Sequence, residues 1–478
     1  MQDGRLTSLR LTDSFLQRVA TYDRSGPRLN AVLEVNPQAG EIAEALDRER
    51  ASGRIRGPLH GIPVLLKDNV ATADRLHTSA GSLALRESVA PRDAFLVTRL
   101  REAGAVILGK TNMTEWANFM TTSMPAGYSS RGGQVKNPYD PALSPGGSSS
   151  GSAVAVAANL CTVAVGTETS GSILSPANQN SIVGIKPTLG LISRSGIIPI
   201  AASQDTAGPF GRTVADAAVL LGAMTGVDPT DRATRASRVH GRRDQTAALD
   251  PLGLEGARLG VPRAGFFQQL SDAEAPVIEA ALQALRGLGA VLVDPADIRT
   301  AQEVADFRSA VMVYEFKRDL NRYLAGLDKD SPIRSLRDVI RYNEAHPREM
   351  LRYGQVHLLA AQATSGPRAE AYRYSRAEDL RLAKTEGVDP VLERAKLDAL
   401  VFPGWSGAAI GAKAGYPSVI VPAGYTAAGA PVGLTFLGRA WSEPTLIRLA
   451  HAFERGTSHR RPPRASAEGA ASNPGAPL

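Results

Sequence analysis

The sequence predicts an α/β fold: one large, mixed, mostly parallel β-sheet covered by helices on both faces. Two observations carry that expectation. Short β-rich runs recur between helical stretches, at 105–108 (AVIL), 162–165 (TVAV), 259–261 (LGV), 290–293 (AVLV), 399–402 (ALVF), 418–421 (SVIV) and 432–437 (VGLTFL). The chain also has 478 residues of ordinary globular composition, 43% hydrophobic and 21% charged, enough to bury a sizeable core.

The helices between those runs have their own signals. Ser271 and Glu274 form a capping box, and Val277, Ile278, Ala281, Leu282, Leu285 and Leu288 follow as an apolar stripe that Gly289 stops before the next strand. A second helix starts at Ser442 and runs through Leu446, Leu449, Ala450 and Phe453. Residues 301–396 are charged and helical in period, so they are expected as a mainly helical excursion flanking the sheet. The expected organisation is a single domain over 1–463. Residues 464–478, rich in Pro, Ala, Gly and Ser, are expected to be a disordered tail, because they cannot bury enough apolar surface to offset the entropy of ordering.

Charge and cysteine content narrow the function classes. The net charge of +7 is dispersed except for Arg455, Arg460, Arg461 and Arg464, which are expected to be a solvated tail; no aromatic residues interleave them and no nucleic-acid-binding motif accompanies them. Cys161, the only cysteine, lies in an apolar run and is expected as a buried thiol rather than a nucleophile. The start MQDGR has no secretory pattern, and no run of about 18 apolar residues occurs. The expectation is a cytoplasmic protein with neither a nucleic-acid nor a membrane partner.

The chemistry-bearing residues sit in glycine- and serine-rich stretches. SPGGSSSGS at 144–152 runs into the small-residue segment 153–158, and GTETSGSI at 166–173 is a second such turn after a strand. A linker is the simplest reading of Gly and Ser, but these turns flank buried segments. Two turns separated by a core helix and a strand would collect hydroxyls and backbone N–H groups at one rim of the sheet, where α/β folds bind ligands. Such N–H groups can hold an oxyanion or a phosphate. The Gly-Lys-Ser/Thr ending of a phosphate loop is absent, as is GxSxG.

A serine nucleophile needs a base. None of His60, His77, His240, His346, His357, His451 and His459 falls in a catalytic or metal-ligand spacing. Lys67 follows an apolar strand-like run in GPLHGIPVLLKDN at 57–69, where burial would favour the neutral amine. Lowering a lysine from about 10.4 to about 7.5 costs roughly 4 kcal/mol. The competing reading is a lysine reaching from the strand end to water.

Five stretches occur together: GPLHGIPVLLKDN, GKTNMTEWA at 109–117, SPGGSSSGSAVAVAA at 144–158, GTETSGSI, and VGIKPTLGLISRSGIIPIAASQDTAGP at 183–209. In order and spacing they resemble the amidase signature family, and its peptide amidases in particular. The likeness continues through Tyr314-Glu-Phe-Lys317 to GRAWSEP at 438–444, so it covers the chain to about residue 463. It implies the amidase-signature fold and a serine hydrolase that cleaves C–N bonds of amides through an acyl-enzyme. Carried onto this sequence, the general base is Lys67, the bridging serine Ser148 and the acylated serine Ser172, with a cis peptide between Gly147 and Ser148. The N–H groups of Thr169, Ser170, Gly171 and Ser172 are the implied oxyanion hole. No metal or organic cofactor is needed. The resemblance also implies that a usual N-terminal helix is partly absent before Leu6-Thr-Ser8, and a monomer or homodimer.

For the substrate, Ile173-Leu174-Ser175-Pro176 carries no arginine to pair with a carboxylate, so a neutral or apolar acyl group is expected. Trp116, Met124, Tyr128 and Trp405 are candidate pocket walls and equally candidate packing residues. The segment from Phe402 to Ile410 is shortened against the peptide-amidase pattern, which would open the pocket to anilides, aryl amides and carbamates beside peptide C-terminal amides. The alternatives are an amidotransferase-type subunit that releases ammonia, and a catalytically silent amidase-like binding protein.

Overall fold

A computed structural model describes residues 1, 3–366 and 368–463, so the tail expected at 464–478 lies outside the described residues. Eleven strands form one sheet: β1 Val32–Val35, β2 Pro63–Lys67, β3 Val106–Thr111, β4 Val163–Glu168, β5 Val183–Lys186, β6 Thr206–Gly211, β7 Arg258–Gly260, β8 Val291–Val293, β9 Ala399–Pro403, β10 Ser418–Tyr425 and β11 Pro431–Leu437. Their order across the sheet is β1-β3-β2-β4-β6-β5-β10-β11-β9-β7-β8. The large mixed sheet of the expectation is therefore present, and its parallel pairs lie in two flanking groups, β3-β2-β4 and β9-β7-β8. Between them the neighbours run antiparallel from β4 to β9, and β1 closes one edge antiparallel to β3. Short connections decide this locally: only residues 426–430 link β10 to β11, too few for a parallel crossover.

Three strands escaped the sequence pattern, among them the four-residue edge strand β1. β6 is TAGPFG, whose two glycines and proline hide a strand that is buried throughout, and the four-residue β5 has no alternation because both of its faces are covered.

The helical layers give the sheet two apolar faces. Along β2, Val64 and Leu66 join the apolar cluster of one face and Leu65 that of the other, as a period of two requires. Lys67 therefore shares the face of Leu65. That face is covered by the helix Ser150–Ala157, all eight residues of which are buried. Small side chains let this helix approach closely: a Cβ on Gly151 would stand 2.3 Å from the Ala31 carbonyl oxygen. The chain just before this helix, at Ser148 and Ser149, meets the end of β2 at Lys67.

Residues 301–396 hold the helices Ala301–Asp306, Val311–Ala325, Leu336–Ala345, Pro347–Met350, Val356–Gln362, Glu370–Leu380 and Asp389–Arg394, and no strand among the described residues. The capping box at Ser271 and Glu274 is present in its hydrogen bonds, and the stripe that follows is buried at Ile278, Ala281, Leu282 and Leu285. Cys161 is buried, which pushes its thiol up to about 12. No helix of the described residues is long and apolar enough to cross a membrane.

One expectation fails in part. The basic cluster is not wholly a solvated tail: Arg460 is half-buried and its Nη2 donates to the Ala157 carbonyl at 3.2 Å, while the exposed Arg461 guanidinium lies 5.1 Å from the centre of the Tyr425 ring. The Tyr139 hydroxyl donates to the Arg461 carbonyl at 2.5 Å, and the Arg461 N–H donates to the Tyr425 hydroxyl at 2.8 Å. These bonds give the charged stretch partners that a count of charges does not reveal.

Candidate active site

Lys67 ends β2 with no exposed surface, so it does not reach to water. Its Nζ lies 2.7 Å from Ser148 Oγ, 2.9 Å from Ser149 Oγ, 3.0 Å from Thr167 Oγ1 and 3.2 Å from the Thr167 carbonyl oxygen. Burial lowers its pKa to about 7, against the opposing pull of Glu168 and Asp205. An uncharged amine is therefore accessible here near neutral pH.

The hydrogen-bond inventory distinguishes the two serines at that amine. Ser149 Oγ donates its single proton to the Thr167 carbonyl at 3.0 Å and accepts from the Thr167 N–H at 3.2 Å, so toward Lys67 it acts as an acceptor. Ser148 Oγ has no other hydrogen-bond partner among the described residues, which leaves its proton available to the neutral amine. Ser148 is fully buried, its carbonyl accepts the Thr114 N–H at 3.0 Å, and the Gly147–Ser148 peptide is cis.

The second glycine-rich turn packs onto the first. The Ser149 N–H donates to the Ser172 carbonyl at 3.2 Å. Glu168 Oε2 accepts the N–H groups of Ile173 at 2.6 Å and Leu174 at 3.0 Å, fixing the chain just after Ser172. Thr169 Oγ1 donates to Asp205 Oδ1 at 2.6 Å, and Asp205 Oδ2 accepts from the N–H groups of Ile200 and Ala201, both at 2.9 Å. Burial raises Asp205 to about 7 in spite of these donors. Gly171 has φ +83°, a conformation that favours glycine, and a Cβ there would lie 3.1 Å from Trp405 Cε3.

None of the N–H groups of Thr169, Ser170, Gly171 and Ser172 donates to a protein acceptor among the described residues. Four unsatisfied donors on one tight turn are available to an anionic oxygen. Ser172 is 7% exposed, and its hydroxyl makes no hydrogen bond among the described residues. The direct side-chain link in the structure therefore runs from Lys67 to Ser148, while Ser172 is tied to the same turn through the backbone of Ser149.

The four candidate wall residues separate. Trp405 is 45% exposed and lies over Gly171, at the mouth of the turn. Trp116 is 1% exposed and meets Phe316 edge-on at 6.5 Å within the apolar cluster shared with the helical excursion, so it is a packing residue; Met124, 8% exposed, belongs to the same cluster. Tyr128 is half-buried and meets Tyr353 edge-on at 5.0 Å. A cavity bounded by Asn69, Thr167, Thr169, Asp205, Asp319 and Tyr323 reaches from the turn at Thr169 to the helical layer, and none of the four lines it.

Sequence reasoning gave no role to Ser149, Thr167, Glu168 or Asp205, although all four lie inside the stretches quoted above. The available signal was an acidic residue in an otherwise small and apolar run, as at Glu168 and Asp205. The histidines stand elsewhere: His60 Nε2 is 2.9 Å from the Leu46 carbonyl oxygen, His77 pairs with Glu34 and His357 stacks on Phe119.

The chain is similar to known proteins over nearly its whole length. A family model described as amidase matches residues 10–413. A probable amidase of Arabidopsis thaliana is 44% identical over 471 residues, covering 97% of this chain and 89% of the relative. The native peptide amidase from Stenotrophomonas maltophilia superposes with a TM-score of 0.93 at 50% identity, over 97% of this chain and 96% of that one. A glutamyl-tRNA(Gln) amidotransferase chain of Halorhodospira halophila is 35% identical over 491 residues, 96% of each chain.

Proposed function

This chain belongs to the amidase family and is an amide-hydrolysing enzyme, and from that premise we propose that it cleaves neutral amides through an acyl-enzyme on Ser172, with Lys67 as base and Ser148 as proton carrier. Neutral Lys67 takes the Ser148 proton while Ser148 takes that of Ser172, whose oxygen attacks the carbonyl. The N–H groups of Thr169, Ser170, Gly171 and Ser172 receive the developing oxyanion; one such donor is worth about 3 kcal/mol in other hydrolases. The proton returns through Ser148 to the departing amine, and water then releases the acyl group.

The observation that carries this reading is the 2.7 Å contact of a fully buried Lys67 with Ser148, a hydroxyl with no competing partner among the described residues. The bond between Ser148 and Ser172 is the one that substrate must complete, as catalytic hydrogen bonds commonly tighten only when the site is loaded. The substrates that fit are peptide C-terminal amides, and anilides, aryl amides or carbamates where the exposed Trp405 face accepts an aromatic group.

The ammonia-releasing reading draws on the amidotransferase relative, but the peptide amidase is the more similar, at 50% against 35% identity. The decisive experiment is Ser172→Ala assayed on a peptide amide and a nitroanilide. Loss of turnover by at least about 10³-fold on both is expected; near-wild-type turnover refutes the assignment. Turnover appearing only with added partner proteins would favour the amidotransferase reading.

A further inference from the structure

The segment after the nucleophile carries no arginine, but one stands farther out. The guanidinium of Arg352 lies 5.7 Å from the centre of the Tyr128 ring and 5.3 Å from that of Tyr353. The two rings meet edge-on at 5.0 Å and 78°, so they form a corner that holds the cation. Arg352 is exposed, and no carboxylate pairs with it among the described residues. Its fork of N–H donors is thus unclaimed, while its guanidinium rests against two aromatic rings.

Two further bonds fix this corner beside the catalytic turn. Thr121 Oγ1 and Ser123 Oγ both donate to the Tyr353 carbonyl, at 2.8 and 3.1 Å, fastening the segment before Tyr128 to the helical excursion. From Tyr128 the path to Ser148 is short. The Gly127 N–H donates to Thr114 Oγ1 at 2.9 Å, and the Thr114 N–H donates to the Ser148 carbonyl at 3.0 Å. A Cβ on Gly147 would lie 3.3 Å from Ala126, so the segment leading to Tyr128 packs on the turn that holds Ser148.

We infer that Arg352, shelved on Tyr128 and Tyr353, is a specificity-determining residue that binds a carboxylate carried on the acyl portion of the substrate, several bonds from the scissile amide. The inference rests on the amidase reading of Ser172 and adds the charge class of the preferred acyl group. A planar guanidinium pairs with a carboxylate through two parallel hydrogen bonds, and the tyrosine corner lowers the cost of holding it in place.

The test compares two amides of phenylalanine that differ only at the distant end, N-glutaryl, which ends in a carboxylate, and N-pentanoyl, which ends in a methyl group. The wild-type enzyme is expected to favour the glutaryl amide in kcat/KM by about two- to five-fold at low ionic strength, the range of an exposed ion pair, and to lose that preference in salt. Arg352→Gln should remove the preference through KM and leave the pentanoyl amide unchanged, whereas Arg352→Lys, which keeps the charge without the fork, should keep part of it. Equal losses on both amides in Arg352→Gln, or a wild-type enzyme without preference, overturn the inference. Continued turnover of the pentanoyl amide shows that the catalytic site itself is intact, so failure here is distinct from failure of the Ser172 assignment.

Discussion

The ends of β2 and β3 carry two lysines in nearly the same situation. Lys67 and Lys110 are both fully buried, on neighbouring parallel strands, and burial lowers one to about 7 and the other to about 8. What differs is the company. Lys110 donates to the Val70 carbonyl at 2.6 Å and to Thr78 Oγ1 at 2.9 Å, with the carboxylate of Asp68 as its largest charge contact. Lys67 faces three hydroxyls and, at 3.2 Å, the Thr167 carbonyl, and its nearest partner is the Ser148 hydroxyl at 2.7 Å. A carbonyl can only accept, so the nearest partner of Lys110 favours a cation, while the nearest partner of Lys67 has a proton that a neutral amine can take. Burial alone does not make a base; its nearest partner must also have a proton to give.

The contrast can be broken most strongly at the lysines themselves. Lys67→Ala should reduce kcat by at least about 10³-fold with the fold intact, measured by turnover and by circular dichroism. Lys110→Met should do the reverse. It leaves the Val70 carbonyl and the Thr78 hydroxyl without their buried donor, so thermal unfolding should come several degrees lower, while kcat per folded molecule stays within a few-fold. Equal catalytic losses in the two variants would erase the distinction.

A smaller effect is expected at Asp205→Asn. The amide cannot accept from Thr169, Ile200 and Ala201 together, so the turn carrying the oxyanion donors loosens. We expect kcat about ten-fold lower with KM nearly unchanged on a peptide amide. A change confined to KM would place Asp205 in substrate binding instead.

The proposed trio of Lys67, Ser148 and Ser172 could be named from the sequence because each lies in a short stretch whose neighbours also match a family. The residues around it could not, because they are brought in by tertiary contact: Lys67 meets Ser149 across 82 residues and Thr169 meets Asp205 across 36. The helical excursion was legible from its period, and the flanking parallel strands from their β-branched runs. The antiparallel centre was hidden where glycine and proline interrupt β6. Trp116 and Trp405 could not be told apart in sequence, since an aromatic residue serves a core or a rim equally well; only packing against Phe316 in one case and over Gly171 in the other separates them.

The central claim is that an uncharged Lys67 activates Ser172 through Ser148, and the rate at which a fluorophosphonate labels Ser172 across roughly pH 5 to 10 tests it most directly. Because burial lowers the lysine, the active neutral form gains as pH rises, so labelling should climb through a single ionisation near pH 7. Asp205 is also raised to about 7, so the same titration belongs on Asp205→Asn, where the rise should persist. A rate that is flat in pH, that climbs only near the ordinary lysine value of about 10.4, or that loses its rise in Asp205→Asn would contradict the account.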